Sequence, residues 1–375
     1  MARAPILQEI VADPEADRLD GFAHPRLSPS LYGHAAEERA FAEAFLSGRV
    51  HHGWLLAGRE GIGKATLAYR MARFVLARAD ERGRGEGPLD VPVDSVAARQ
   101  VRALSHPDLL LIRRPYDVKN KRFLTVISVD EVRRIKSFLA HAAGPDSWRV
   151  VIVDQADELN INAANALLKS LEEPPSRVLF LLVTSEPGRL LTTIRSRCRR
   201  LELSALAEPD LRRAAQDALA GADDPGEIDE GQWPLLAESA HGSVRRLLAL
   251  SRTLGSGTQA KLKALIGSLP RLDWPALHAL ADEMTASGAE QRYEQMMELL
   301  TDSVARLVRT RAIGAGAPDD MRLAERLIPE HALPRWAELW ETIVTKKAET
   351  AALNLDKKAL ILETFARMQG AARIG

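Results

Sequence analysis

A parallel α/β domain followed by helical domains is the fold class that three features of this sequence predict. Short apolar runs alternate with helical stretches through the first 203 residues. A glycine-rich turn, Gly58 to Lys64, joins one such run to a helix, and strand signals disappear from residue 204 onward. Strand alternating with helix implies right-handed crossovers and a parallel sheet covered on both faces.

"WLLAG" (54–58) reads as a buried strand and "KATLAYRMARFVLAR" (64–78) as the helix after it. The stretch 79–95, rich in Gly, Pro and charge, predicts an exposed, mobile insertion. "DLLLIRR" (108–114) is a second strand, and Ser128 with Glu131 has the spacing of a capping box opening a helix over 129–143. "RVVIVD" (149–154) is a third strand, and the helix "NAANALLKSLEE" (162–173) is stopped by Pro174 and Pro175. "RVLFLLVT" (177–184) and "RLEL" (200–203) complete the sheet of the first domain, 1–203. "DLRRAAQDALA" and "VRRLLALSRTL" predict a small helical domain over 204–257, and residues 258–375 a third, all-helical one. There Met297, Leu300, Val304, Leu307 and Val308 recur at helical spacing, as do Trp336, Leu339, Trp340 and Ile343; each stripe predicts a bundle core.

The 375 residues, 46% hydrophobic and 27% charged, suffice for two or three globular domains. Lys plus Arg (51) balances Asp plus Glu (51), so net charge argues for no nucleic-acid partner, which would need a local basic face. The stretch "MARAPILQEIVADPEADRLDGF" lacks a signal-peptide core and no run approaches membrane-spanning length, which predicts a cytoplasmic protein without a membrane partner. The single Cys198 excludes an intrachain disulfide and a cysteine-rich zinc site.

Gly58, Gly63 and Lys64 satisfy the pattern G-x-x-x-x-G-K-[ST] up to its last position, which is Ala65. Between a strand and a helix this pattern makes a phosphate cradle. Gly61 and Gly63 let backbone N–H groups curl around a phosphate, the helix N-terminus adds positive potential, and Lys64 brings a mobile charge. The missing hydroxyl is the one that holds magnesium, and Thr66 stands one helical step, about 100°, away from it. Asp154 ends the third strand at the edge where parallel sheets bind ligands, the natural place to serve a magnesium site. A hydrolysing site sets a carboxylate next to it; here Gln155 can position water but cannot accept its proton. Arg195, Arg197, Arg199 and Arg200 crowd the approach to the last strand. They suit solvent, nucleic-acid phosphates, or the charge developing on a phosphoryl group in a neighbouring subunit.

The run from Val150 to Cys198, with "NALLKSLEEPP", "FLLVTSEP" and "IRSRC" in that order, closely resembles the AAA+ clamp-loader subunits of replicative DNA polymerases, as does "HPD" at 106–108. The resemblance covers roughly residues 30–255, and the helical remainder is similar in length and character to the family's collar. It implies an AAA+ ATPase-like domain, a helical lid and an all-α collar, assembled in a five-subunit ring with motor subunits and a clamp-opening subunit. The ring acts on the sliding clamp and on primer-template DNA.

Carried over by residue, Lys64 matches the phosphate-loop lysine, Asp154 the magnesium-site aspartate, Thr184 the sensor on the strand beside the loop, and Arg245 in "GSVRRLL" the lid arginine. Arg197 in "SRC" matches the arginine finger lent to an adjacent motor subunit. Motor subunits keep a complete loop and an Asp-Glu pair, so this chain is similar to the branch that does not hydrolyse. Its cradle, formed by Gly58, Gly61, Gly63, Lys64 and Thr66, is then a degenerate site for ATP or ADP, or a fold element alone, with no cofactor required. Many relatives carry a four-cysteine zinc module after the first helix, where this chain has the cysteine-free stretch 79–95; no zinc is expected. The competing readings are an ATP-hydrolysing motor subunit, opposed by Ala65 and Gln155, a stand-alone nucleic-acid-binding protein, and a small-molecule P-loop kinase.

Overall fold

The computed structural model describes residues 14–373, except 86, 121, 141–146, 224–227, 229, 256, 287, 317 and 354. The N-terminal stretch up to residue 13 and the expected helical residues 141–143 lie outside the described residues. The chain divides into two units, one reaching Asp229 and taking in His241–Arg246, the other made of Glu230–Ala240 and Leu247 onward.

In the first unit the elements run α1 (Ala35–Leu46), β1 (Gly53–Ala57), α2 (Lys64–Leu76), α3 (Val96–Arg102), β2 (Leu109–Ile112), β3 (Tyr116–Asp117), β4 (Arg122–Phe123), α4 (Val129–Ala140), β5 (Arg149–Val153), α5 (Ile161–Glu172), β6 (Val178–Thr184), α6 (Thr192–Arg195), β7 (Arg199–Glu202) and α7 (Glu208–Ala220). Five parallel strands form one sheet in the order β2-β5-β6-β1-β7, and β3 and β4 make a small antiparallel hairpin that the sequence patterns missed. Alternation along the strands divides the core in two. Trp54, Leu56, Val150, Ile152, Leu179 and Leu181 face α1 and α2, where they meet Phe41, Leu67, Met71 and Phe74. Leu55, Val151, Val153, Phe180 and Leu182 turn to the other face and meet Ile135 of α4 and Leu167 and Leu171 of α5. This is the period-2 pleat read out as two covered faces. β2 is an edge strand, and three of its four residues are only half-buried.

Fewer than half of the described residues of the insertion at 79–95 are exposed, and it is pinned. Leu89 is 1% exposed within the α1/α2 core, and Asp90 Oδ1 lies 2.6 Å from Arg70 Nη2. Arg70 is itself buried and pairs with Glu38 at 2.5 Å, so removing Asp90 would strip a buried guanidinium of one of its charges.

The remaining helices are α8 (Trp233–Ala240), α9 (Val244–Gly255), α10 (Thr258–Ser268), α11 (Trp274–Thr285), α12 (Glu290–Ile313), α13 (Pro318–Leu327), α14 (Leu333–Leu353) and α15 (Lys357–Arg373). α12 packs on α13 and α14, and α15 on α11 and α14. Met297, Leu300, Val304 and Leu307 of α12 are buried, with Val308 half-buried at the margin. On α14, Trp336, Leu339 and Ile343 are buried, but Trp340 is 36% exposed and Val344 41%. At about 100° per residue, Leu339 and Ile343 fall on one side of Trp336 and Trp340 and Val344 on the other, so the second pair leaves the core stripe. Among the described residues no helix is long and apolar enough to cross a membrane.

Leu300→Ala is expected to cost about 2–5 kcal/mol in chemical denaturation through the cavity it leaves. Trp340→Ala is expected to cost less than half as much, and equal losses would contradict its marginal position.

Candidate functional site

The ends of β5, β6 and β1 lie side by side at the C-terminal edge of the sheet, with β6 in the middle. They deliver Asp154, the pair Thr184 and Ser185, and the glycine loop from Gly58. Lys64, the first residue of α2, is 5% exposed and folds back on its own loop. Its Nζ donates to the carbonyls of Gly58 (2.8 Å) and Arg59 (2.5 Å) and to Ser185 Oγ (3.0 Å). An ammonium carries three protons, and these three oxygens account for them. Burial pushes the amine down to about 8, against the pull of Glu60, Asp154 and Asp157. Ser185 N–H in turn donates to Asp157 Oδ1 at 3.1 Å. Thr184, fully buried, uses its hydroxyl to accept the Glu186 N–H at 3.2 Å; the side chain that reaches Lys64 is its neighbour, Ser185.

Gly61 adopts φ +74°. Its carbonyl accepts the Val244 N–H at 2.9 Å, and a Cβ on it would stand 2.4 Å from Ser243 Oγ and 2.5 Å from Arg245 Cβ. Arg245 is thus brought to the loop, where its Nε lies 3.1 Å from Glu60 Oε1, both side chains being well exposed. Gly58 is as constrained: a Cβ there would meet the Leu203 carbonyl at 2.5 Å. The loop is held from behind by His34, whose Nε2 donates to the Ile62 carbonyl at 2.8 Å. Thr66, half-buried in the first turn of α2, makes no side-chain hydrogen bond among the described residues.

Asp154 is 4% exposed and accepts the Gln155 N–H at 2.9 Å. Its other neighbour is a second carboxyl group, Asp17, from the segment ahead of α1. Burial, the charge of Asp17 and a hydrogen bond to it push Asp154 well above the ordinary carboxylate range. Asp17, against its own burial, is held below that range by His24 and Arg113. His24 Nε2 and Asp17 Oδ2 are 2.8 Å apart, and Arg113 Nη1 and Asp17 Oδ1 2.6 Å. Because His24 Nδ1 accepts the Arg26 N–H at 3.0 Å, the ring proton sits on Nε2, the nitrogen that faces Asp17. Tyr69 of α2 packs its ring edge-on to His24 at 5.5 Å.

The arginines ahead of and at the start of β7 lie toward the opposite end of β1. A Cβ on Gly53, the first residue of β1, would sit 3.2 Å from the Arg197 carbonyl, and the loop begins five residues on, about 16 Å away at ~3.3 Å per residue. Arg197 Nη2 pairs with Glu172 at 3.0 Å with both side chains about 40% exposed, and Nη1 donates to the Thr193 carbonyl. Arg195 bonds Thr192, Arg199 lies over the Trp54 ring at 4.8 Å, and Arg200 pairs with Glu202.

The structure therefore gathers Gly58, Gly61, Gly63, Lys64, Asp154, Thr184 and Arg245 around one loop and sets Arg197 apart. Ser185, Asp157, Asp17, His24 and Arg113 belong to the site and were missed. Ser185 was within reach, since it adjoins the expected sensor; nothing local marks the others. The oxygens here do not fit a magnesium ion: Ala65 contributes none, and Asp154 is turned to Asp17 and Gln155. Among the described residues no cluster of three or more His, Cys, Asp or Glu side chains is arranged to hold a metal ion.

Residues 33–207 match the family described as DNA polymerase III, delta subunit. DNA polymerase III subunit delta' of Escherichia coli (strain K12) is 32% identical over 268 residues, 70% of this chain and 72% of that protein. Subunit delta' of Pseudomonas aeruginosa is 35% identical over 60% of this chain and 66% of its own length. Subunit tau of Escherichia coli (strain K12) is 29% identical over 77% of this chain, which spans 42% of that longer protein.

Two outcomes are expected at this edge. Gly61→Ala should destabilise the fold by more than about 1 kcal/mol, since the new Cβ meets both a positive φ and Ser243; an unchanged denaturation midpoint would refute that packing. A carboxyl raised in the folded state keeps a proton that the unfolded chain gives up near pH ~4, so its contribution to stability falls as pH rises above that range. Asp154→Asn, which carries amide hydrogens at every pH, should weaken that fall in melts at pH ~5 and ~8.

Proposed function

The chain belongs to the DNA polymerase III delta-subunit family of AAA+ clamp-loader subunits, and we propose that within it the protein acts as a delta'-type subunit. It sits in a five-subunit ring with motor subunits and a clamp-opening subunit and helps load the sliding clamp onto primed DNA. It hydrolyses no ATP at its own degenerate site, requires no cofactor there, and lends Arg197 to a neighbouring motor subunit.

The observation that carries this reading is the separation of Arg197 from its own loop by the length of β1. A guanidinium at that end of the strand cannot serve the phosphate cradle of the same chain. Its ties are those of a group that can be borrowed: an exposed ion pair with Glu172 contributes only about 0–1 kcal/mol and exchanges readily for phosphate oxygens. A planar fork presented to a transferring phosphoryl group stabilises the charge spread over its oxygens. The loop supports the other half of the reading. Lys64 is spent on the chain's own carbonyls, position 65 has no hydroxyl, and Gln155 is no base. The motor-subunit alternative, raised again by the tau relatives, would need all three reversed.

The isolated protein is expected to show negligible ATPase activity, since loss of a general base alone removes about 10²–10⁴ in rate; robust turnover that disappears in Lys64→Ala would favour the motor reading. In a complex reconstituted with motor and clamp-opening subunits, clamp and primed DNA, Arg197→Ala should assemble normally yet lower ATP hydrolysis and clamp loading. The finger is worth about 10³–10⁵ at its own site, but the ring keeps others, so the steady-state loss is smaller. Arg197→Lys should rescue poorly and Arg199→Ala should behave as wild type. Equal loss of DNA binding in the Arg197 and Arg199 variants, with hydrolysis untouched, would replace the trans role by a basic DNA-facing surface.

A further inference from the structure

Trp340 leaves the core stripe of α14, and what it joins is a second one. Ala337, Trp340, Val344, Ala348 and Ala351 follow one another at steps of three or four residues, so they lie along one side of the helix, about 21 Å from end to end at ~1.5 Å per residue. This line runs a little over a quarter turn away from the buried Trp336, Leu339 and Ile343. It stands in water: Trp340 is 36% exposed and Val344 41%, Ala348 and Ala351 are exposed with them, and Ala337 is half-buried at the start. A surface helix needs one apolar stripe to pack on its own core, and α14 has two. Among the described residues no other helix of the second unit exposes two large apolar side chains on one face. The charges beside the stripe are acidic. The adjacent ridge, each residue one position on from Trp340, Val344 and Ala348, is Glu341, Thr345 and Glu349, and Glu338 stands one turn before Glu341. All three glutamates are exposed, and none has an ion pair or side-chain hydrogen bond among the described residues. On the other flank Lys347 is matched by two carboxylates of α12, Glu294 at 3.3 Å and Glu298 at 3.9 Å.

We propose that this face of α14 is a docking surface for a basic amphipathic helix of another protein chain, whose apolar seam lies against Trp340, Val344, Ala348 and Ala351 and whose lysines or arginines meet Glu338, Glu341 and Glu349.

Charge selects this occupant among the others an apolar face could take. A negative rim repels a phosphate backbone, so nucleic acid does not fit. A second copy of this chain fits no better, because antiparallel pairing of two such stripes about their midpoint sets Glu341 of one against Glu349 of the other, and like charges so placed oppose association. A helix rimmed by Lys or Arg turns the same glutamates into partners. Shape agrees with charge. The 340/344/348 and 341/345/349 lines are neighbouring ridges with a groove between them, which is the surface a second helix packs into. Trp340 supplies a large anchor at one end, of the residue type that most often carries binding energy, and the alanines at the other let a helix come close and seat bulky side chains. Because the indole lies at the margin of the bundle core, its apolar surface is available to a partner without cost to the fold. The inference is independent of the role of Arg197, and a failure of either leaves the other standing.

The test uses the full-length chain and two dye-labelled synthetic helices with leucines at the spacing of the stripe, one flanked by lysines and the other by glutamates, with binding followed by fluorescence anisotropy. The lysine-flanked helix should bind saturably and at least about tenfold more tightly than its counterpart, and raising salt from ~0.05 to ~0.5 M should narrow the gap. Trp340→Ala should weaken that binding at least about tenfold while circular dichroism shows the chain still folded. Glu341→Lys combined with Glu349→Lys, both on the exposed side of α14, should reverse the preference between the two helices. Equal affinity for the two helices, or binding that Trp340→Ala leaves untouched, would overturn the proposal. So would a wild-type chain that sediments as a dimer and becomes a monomer in Trp340→Ala, since a second copy would then cover the face. If Trp340→Ala does not fold, the charge-reversed variant decides the matter.

Discussion

Burial of a parallel sheet on both faces is the constraint from which the rest of the first unit follows. Strands that must all run the same way bring every β-to-loop exit to one edge and every entrance to the other. Asp154, Ser185 and Gly58 therefore meet although 127 residues of chain separate the first and last of them in sequence. The same rule sends the entrance of β7, with Arg197, to the far edge. No local feature of either site has to arrange this, because the polarity of the sheet does. The apolar alternation that makes both faces core also fixes register, since a one-residue slip would turn Leu55 and Leu56 to the wrong layers.

The two edges treat charge in opposite ways. At the loop edge Lys64, Asp154, Asp17 and Arg113 are buried or nearly so, and each is satisfied by a partner from the chain itself. Removing one partner there leaves a desolvated charge behind, a loss of several kcal/mol in typical cases. At the other edge Arg197 and Glu172 stay in water, where an ion pair contributes little and costs little to break. Rigidity at one end of β1 and availability at the other are thus consequences of depth alone, and the proposed role, a fixed subunit that lends Arg197 to a neighbour, would draw on both.

The sheet was legible because its signals are local: apolar runs of strand length, a glycine turn, prolines that stop α5. So were Gly58, Gly61, Gly63, Lys64 and Asp154, which a motif or a strand end marks. β7 emerged one residue early, and β3 and β4 escaped because two-residue strands carry no period. The segment holding Asp17 and His24 could not be read. Its importance comes from contacts with Asp154 and Arg113 about a hundred residues or more downstream, and an Asp in "EADRL" resembles any solvated acid. Trp340 misled for a different reason. Spacing placed it near Trp336, but a stripe has a centre, and only packing shows on which side of that centre a residue falls. The insertion was expected to be mobile because composition reports solvent preference and is silent on Arg82, which bonds the Phe74 and Val75 carbonyls, and on the anchored Leu89.

That anchor divides the connection between α2 and α3 into two shorter loops, closed at Leu89 and Asp90 by the core and by Arg70. Closing a loop costs only about 0.6 kcal/mol more for each doubling of its length. Either half can accordingly take up extra residues with small thermodynamic effect so long as the clip is kept. The stretch between Ala77 and Leu89 is therefore where this chain can be lengthened, by drift in its own lineage or by an inserted reporter peptide, without the sheet registering the change.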